Sequence, residues 1–203
     1  MKTRSMLSAL ALVAVASCHA PHNDTPVWTD WGENPMQNPA FTEAWMSSAA
    51  PTEAHAKLAE DVGDWDVDLV MYMTPDAEGI PAKATATTRM ALGGRILIQE
   101  YHSKFEAMPM EGLLIMGFDN LKGEYWSIWL DNFSTWPAIS EGPLDDEGVV
   151  HLAGQMRDVS TPKGRLFRHV SWHEGANTLR AEMYDSLPDG SEFRVMEFTY
   201  RRR

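Results

Sequence analysis

From Trp65 to the C-terminus the hydrophobic pattern has a period of two residues, interrupted by turn signals at short intervals. In the first segment, residues 65–73, Trp65, Val67 and Leu69 share one face. The turn signals are rich in Gly, Asn, Asp and Pro, and they stand at 75–79, 93–94, 119–123, 145–148, 162–164, 174–177 and 188–190. The segments between them are about eight residues long and have no helical period, which predicts strands. Strands at this regular spacing predict an antiparallel sandwich or barrel of about ten strands.

A sheet of this size is expected to close on itself, because closure removes the unpaired strands at its two edges. A barrel of about eight to ten strands has room for one small ligand. The residues alone therefore predict a mainly β protein, an antiparallel barrel with the capacity for an internal cavity.

Two short helices are predicted ahead of the strands. Asn38 precedes a proline, and this pair is typical of an N-cap followed by the first helical position, while Pro51 ends the helix. Thr52 is the N-cap of a second helix, which runs from Glu53 to about Val62.

The N-terminus has the pattern of an export signal. Lys2 and Arg4 precede an apolar run over residues 6–15, which is too short to span the ~30 Å of a bilayer core. The sequence Val15-Ala16-Ser17-Cys18 that follows resembles the lipobox of bacterial lipoproteins. The resemblance implies cleavage before Cys18 and acylation of that residue. His19 in the next position implies, by the same resemblance, retention at the outer membrane.

These features predict a signal peptide at 1–17, a lipidated Cys18 with a flexible tether at 18–38, and a barrel domain at 39–203. The tether has prolines and polar residues without an apolar period, although it also has Trp28 and Trp31. We expect a cell-envelope protein that faces the periplasm and is anchored to the membrane through its lipid. The alternative is cleavage after Ala20, which would release a soluble secreted protein.

The charge balance excludes a nucleic-acid-binding function. The chain has 17 basic and 29 acidic side chains and a net charge of −12, whereas phosphate binding requires a basic surface. Removal of Lys2 and Arg4 with the signal leaves 15 basic against 29 acidic side chains, a net charge of −14. The single Cys cannot form an internal disulfide.

The predicted barrel domain resembles the uncharacterised bacterial family DUF1579. The matching stretches are 55–58, 62–65, 89–95, 99–101, 111–112, 117–120, 129–131, 182–185 and 196–201. Gly63-Asp64-Trp65, after a short helix, is also similar to the start of the first strand in calycin barrels, the lipocalin and fatty-acid-binding group. The resemblance implies a calycin/lipocalin-like barrel, and it implies no activity.

The candidate ligand-binding residues come from the phase of each strand. Arg168 shares its phase with Leu166, Val170 and Trp172, and is therefore expected to point inward. Glu100 is expected inward for the same reason, with Ile96, Ile98 and His102. Glu197 shares its phase with Phe193 and Val195, although Met196, Phe198 and Tyr200 compete for the inner face of that strand. A buried Arg168 would need a carboxylate such as Glu100 or Glu197. The set is either a structural ion pair at one end of the barrel or a polar site for an anionic headgroup.

Trp129 and Asp131 form the second candidate set. If Trp129 is inside, Asp131 lies near the mouth of the barrel; if Trp126 is inside, Trp129 belongs to the outer surface. The sequence leaves both arrangements open.

Methionines on the predicted strands favour an apolar ligand, because their flexible side chains adapt to irregular shapes. They are Met71, Met73, Met90, Met116, Met183 and Met196. Met108 and Met110 are predicted to lie between strands as an exposed lip.

Three functions remain open from the sequence. The first is non-covalent binding of a small apolar or amphipathic ligand, with Arg168, Glu100 and Glu197 as polar contacts and Trp129 or Trp172 as an apolar wall. The second is an enzyme with Glu100 or Glu197 as base and Tyr101 or Tyr184 as proton donor. The third is a structural lipoprotein with a packed barrel.

Haem is the one cofactor for which the sequence offers a candidate ligand. Haem, by resemblance to haem-binding barrels, would need an inward histidine, for which His102 is the best match. No metal site is predicted, since His169 and His173 would be about 13 Å apart on a strand.

Overall fold

The computed structural model describes residues 29–105 and 108–203. A 3₁₀ turn (Pro35–Gln37) precedes the helices α1 (Pro39–Ala49) and α2 (Glu53–Ala59). Ten strands follow: β1 (Gly63–Met71), β2 (Ile80–Ala91), β3 (Ile96–Phe105), β4 (Met108–Asp119), β5 (Glu124–Asp131), β6 (Ala138–Gly142), β7 (Val150–Met156), β8 (Arg165–His173), β9 (Thr178–Ser186) and β10 (Glu192–Arg202). The signal peptide, Cys18 and Trp28 lie outside the described residues.

The ten strands form one closed antiparallel barrel in which each strand pairs with its neighbours in the chain. The barrel closes between the first and last strands, where Trp65 lies opposite Arg202 and Met71 opposite Met196. The predicted fold, a ten-stranded antiparallel barrel after two short helices, is confirmed. Closure pairs both edges of the sheet, which satisfies the backbone groups that an open sheet would expose.

The two helices begin where their capping residues predict. The Asn38 side chain accepts a hydrogen bond from the Ala40 amide at 3.0 Å, and Thr52 forms a capping box with His55. α2 ends at Ala59, earlier than the predicted Val62, because the carbonyls after it are used by the barrel. The Trp65 indole donates to the Asp61 carbonyl at 2.9 Å, and Arg202 donates to the Glu60 carbonyl at 2.7 Å.

α2 covers one end of the barrel. Its Leu58, only 3% exposed, packs into a base cluster that also contains Leu97, Met116, Tyr125, Val150 and Leu152. A second group, the wall cluster, lies along β1–β3, β9 and β10 and consists of Trp65, Val67, Ala84, Ala86, Tyr101, Leu179, Ala181 and Tyr200. The base cluster seals the end under α2, and the opposite end remains the mouth.

A β-bulge in β10 determines which of its side chains face inward. The pairing of β10 with β9 shifts between Arg194 and Met196, so Val195 is the extra residue that a bulge inserts. After the shift, Met196, Phe198 and Tyr200 line the interior. Glu197 therefore faces outward.

Candidate ligand-binding cavity

The barrel encloses a cavity of about 300 Å³ above the base cluster. Most of its lining is apolar, and it includes six methionines: Met71, Met110, Met116, Met156, Met183 and Met196. Met73 is 66% exposed instead, and Met90 packs against the base cluster. Met108 and Met110 belong to β4, not to a loop, and only Met108 is exposed, at 52%.

Trp129 lines the cavity near its mouth, which settles the orientation of β5. Its ring meets the Tyr101 ring edge-on, with the centroids 5.8 Å apart. The same ring lies over Gly112, where a Cβ would have no room. The Trp129 indole nitrogen donates a 2.8 Å hydrogen bond to Asp131, whose other oxygen accepts from the Phe133 amide at 2.9 Å. Asp131 thus lies at the mouth, as expected if Trp129 is inside, and both of its oxygens are engaged.

Uncharged polar side chains line the deeper part of the cavity. The Gln99 amide nitrogen donates to the buried Thr88 hydroxyl at 3.0 Å, and no described residue hydrogen-bonds to the amide oxygen. The Ser127 and Ser140 hydroxyls, on neighbouring strands, lie 2.8 Å apart. One of the two serines donates to the other, so one hydroxyl hydrogen is left over.

His169 also lines the cavity, and among the described residues neither of its ring nitrogens has a hydrogen-bond partner. Burial lowers the pKa of His169 from 6.5 to about 4, because an apolar interior disfavours the charged imidazolium. At neutral pH His169 is therefore an uncharged ring with one donor and one acceptor nitrogen.

Tyr101 is 3% exposed, and its hydroxyl has no hydrogen-bond partner among the described residues. Burial raises the pKa of Tyr101 to about 12; the nearby Ser103 side chain lowers it, although its hydroxyl forms no hydrogen bond of standard geometry with Tyr101. A buried hydroxyl without a partner is uncommon in native proteins, and it calls for a specific explanation.

Arg157, directly after β7, lines the mouth of the cavity as the one cationic side chain among the described lining residues. Its guanidinium lies 5.9 Å from the centre of the Trp136 ring. In the parts of the chain that the structure describes, Arg157 has no acidic partner.

Arg168, Glu197 and Tyr184 lie on the outer surface, so the predicted inward orientation of Arg168 and Glu197 is wrong. Arg168 stacks on Tyr184, 4.1 Å from the ring centre, and pairs with Glu192 at 3.1 Å. The Tyr184 hydroxyl donates to Glu182 at 2.6 Å. These side chains form a row of polar contacts on the outer face of β8, β9 and β10.

Glu100 and His102 are also exposed on the outer face, because the inward residues of β3 are Leu97, Gln99 and Tyr101. An interior haem bound through His102 therefore does not fit the structure. Trp172 does not line the main cavity; it lies at a small crevice between α2 and the barrel. Of the polar and aromatic residues predicted for the site, the structure brings Trp129, Asp131 and Tyr101 together at the cavity and leaves the others outside.

Sequence reasoning missed the polar lining. On β8 the inward residues are Phe167, His169 and Ser171, and on β3 Gln99 is inward. These polar residues made the inward phase look like the outer one. The sequence did contain a signal for the inward face: on that face polar residues stand two positions from large apolar ones, as His169 does from Phe167.

Two further features are absent from the described residues. These residues contain no cluster of three or more His, Cys, Asp or Glu side chains that could hold a metal ion. No helix among them is long and apolar enough to cross a membrane.

A closed ten-stranded barrel with an apolar interior cavity defines a hollow, calycin-like barrel protein. Residues 50–202 match the family described as a protein of unknown function, DUF1579, and the chain belongs to that family.

The barrel is similar to a solved structure, the crystal structure of Rv2717c from M. tuberculosis. The TM-score is 0.56, at 12% sequence identity, and the match covers 76% of this chain and 99% of that chain. At this identity the likeness concerns the fold alone. Among curated proteins, none matches this chain.

Proposed function

We propose that this protein is a periplasmic lipoprotein, anchored at the outer membrane through Cys18, whose barrel binds a small apolar or amphipathic molecule non-covalently. The observation that carries the binding proposal is the cavity of about 300 Å³ inside the barrel. A packed structural barrel, the third possibility considered from the sequence, has no need of such a space. Protein interiors normally contain few voids larger than a water molecule.

The chemistry of the lining supports an apolar ligand. Six methionines and several aromatic rings surround the space, and these side chains adapt to flexible hydrocarbon. Ligand sites generally combine such a lining with a few polar groups that fix orientation. The enzyme alternative loses its proposed bases, because Glu100 and Glu197 lie outside the barrel.

The anchor proposal rests on the sequence Val15-Ala16-Ser17-Cys18 and the export signal before it. Acyl chains on Cys18 would hold the protein at the membrane, with about 0.8 kcal/mol for each buried methylene. A Cys18→Ser variant is expected to move from the membrane fraction to the soluble periplasmic fraction. Unchanged membrane association of this variant would contradict the anchor.

Occupancy of the cavity can be tested by filling it. Ala138 lines the cavity on β6, whereas Ala153 on β7 is exposed on the outer face. The Ala138→Phe variant should bind the hydrophobic dye 1-anilinonaphthalene-8-sulfonate at least about tenfold more weakly than the wild type. The Ala153→Phe variant, the same substitution outside the barrel, should bind as the wild type does. Equal affinities in all three proteins would refute interior binding.

Native mass spectrometry of the protein purified from its own cells provides a second test. A retained small molecule, absent from the Ala138→Phe variant, would support the proposal and give the mass of the ligand. Circular dichroism of both variants would check that each is folded.

A further inference from the structure

Polar groups with hydrogen-bonding capacity that no described residue uses lie on opposite walls of the cavity. Tyr101 and Gln99 lie on β3 and His169 on β8. In the closed strand order, β3 and β8 are separated by four strands on either side, so they form opposite walls. All three side chains line the same cavity.

The depth of these groups follows from the strand register. Gln99 is two residues from Leu97 of the base cluster, and His169 is paired directly with Leu152 of the same cluster. Tyr101 is two residues further toward the mouth. The polar groups therefore lie between the sealed base and the outer part of the cavity, which is lined by Met71, Met110, Met156 and Met196.

No ionised side chain accompanies them at this depth. Of the cavity-lining residues, Asp131 and Arg157 are the charged ones, and both lie at the mouth. Asp131 is engaged with the Trp129 indole and the Phe133 amide. A charged ligand group buried at the base would lack a counter-ion there, and burial of an unpaired charge is strongly disfavoured.

We propose that the ligand is a neutral amphipathic molecule whose hydroxyl or carbonyl group is buried in the barrel against Tyr101, His169 and Gln99. Its hydrocarbon part extends past the methionines toward the mouth. This inference rests on the proposed function, and it adds the class of ligand and the direction in which the ligand enters.

The unpaired groups match such a headgroup. The Tyr101 hydroxyl is a donor, the neutral His169 ring offers one donor and one acceptor, and the free end of the Gln99 amide supplies one more group. A ligand hydroxyl both donates and accepts, and a carbonyl accepts. Either one would satisfy the buried Tyr101 hydroxyl, which has no partner within the described protein.

The test compares three ligands of equal chain length: 1-decanol, decanoic acid and decane, titrated at pH 7 with the fluorescence of the cavity tryptophans as the signal. The neutral alcohol is expected to bind tightest. Tyr101→Phe and His169→Phe should each weaken decanol binding about five- to tenfold and leave decane binding unchanged, because each removes one hydrogen bond.

Two outer-surface variants serve as controls. Tyr184 and His102 lie outside the cavity, so Tyr184→Phe and His102→Phe should bind all three ligands as the wild type does. Tyr101→Phe should be at least as stable as the wild type, because the hydroxyl it removes is buried without a partner. Weaker decanol binding by Tyr101→Phe therefore cannot be attributed to poor folding of this variant.

The opposite orientation would overturn the inference. If decanoic acid binds tightest and Arg157→Gln abolishes that preference, the headgroup lies at the mouth and is anionic. If all three ligands bind equally and the Tyr101→Phe and His169→Phe variants change nothing, the polar groups take no part, although the barrel still binds apolar ligands. If none of the three ligands nor the dye binds, the proposed function and this inference both fail.

Discussion

The His173 imidazole on β8 contacts the Asp61 carboxylate, in the turn after α2, at 2.7 Å. This contact joins the barrel wall to the helix that seals its base. The Asp61 carboxylate is the main cause of a raised pKa of His173; burial acts against it, and Lys57 and Glu60 have smaller effects of opposite sign.

A histidine with a raised pKa in the folded state makes stability depend on pH. The protonated ring stabilises the fold fully below the ordinary histidine pKa of about 6.5, and this contribution is lost as the pH rises through the higher folded value. We expect His173→Gln to lower the free energy of unfolding by on the order of 1 kcal/mol more at pH 6 than at pH 9.

Urea denaturation at the two pH values measures this effect. The exposed His102, replaced by Gln in the same way, is the control for the substitution itself. A His173→Gln variant that loses equal stability at both pH values would contradict a charged contact with Asp61.

His169 has the opposite pH dependence. Its pKa falls to about 4 in the folded protein because the ring is buried, so the unfolded chain takes up a proton more readily. Stability is lost as the pH falls from about 6.5 toward 4, by up to about 3 kcal/mol. His169→Phe should remove this component, which would be seen as a smaller difference between unfolding free energies at pH 7 and pH 4.5. An identical acid dependence in the variant and the wild type would show that folding does not lower the pKa of His169.

Arg165 and Arg168 provide a comparison between a partly buried and an exposed ion pair. The Arg165 Nε lies 2.7 and 2.8 Å from the two oxygens of Asp185, which is only 13% exposed. We expect Arg165→Met to lower the free energy of unfolding by about 2–3 kcal/mol, because Asp185 would be left without its partner. Arg168→Met, whose pair with Glu192 is more exposed, should cost less than about 1 kcal/mol. Equal losses in urea denaturation would rule out this difference.

Gly112 and Gly117 are each covered by a tryptophan ring that leaves no space for a Cβ. Trp129 covers Gly112 inside the barrel, and Trp126 covers Gly117 on the other face of the sheet. Either substitution by Ala should destabilise the fold by about 1–3 kcal/mol, since the ring must move.

Only Gly112→Ala should also change ligand binding, because Trp129 is part of the cavity wall. Titration with 1-anilinonaphthalene-8-sulfonate measures this change in affinity, and Gly117→Ala is the control with a similar steric cost. Equal dye affinity in both variants would place Trp129 outside the binding site.

The strands and the closed barrel were predictable from local pattern. The alternation from Trp65 and the turn signals after it are properties of short segments, and they favour strands before any tertiary contact is considered. Asn38 and Thr52 likewise mark helix starts through contacts within one turn. The family resemblance rested on short motifs of the same kind, and the match over residues 50–202 confirms it.

Only the tertiary structure decided which face of strands such as β8 points into the barrel. On β8 the sequence favoured the phase of Leu166, Arg168 and Val170 as inward, yet Leu166 is 52% exposed and Val170 is covered by neighbours on the outer face. The usual rule, that the more apolar phase is buried, assumes a packed interior. Because this barrel is hollow, its inner face accommodates Gln99, Ser127 and His169, and the polar residues that define the candidate site became visible only when the sheet had closed around them.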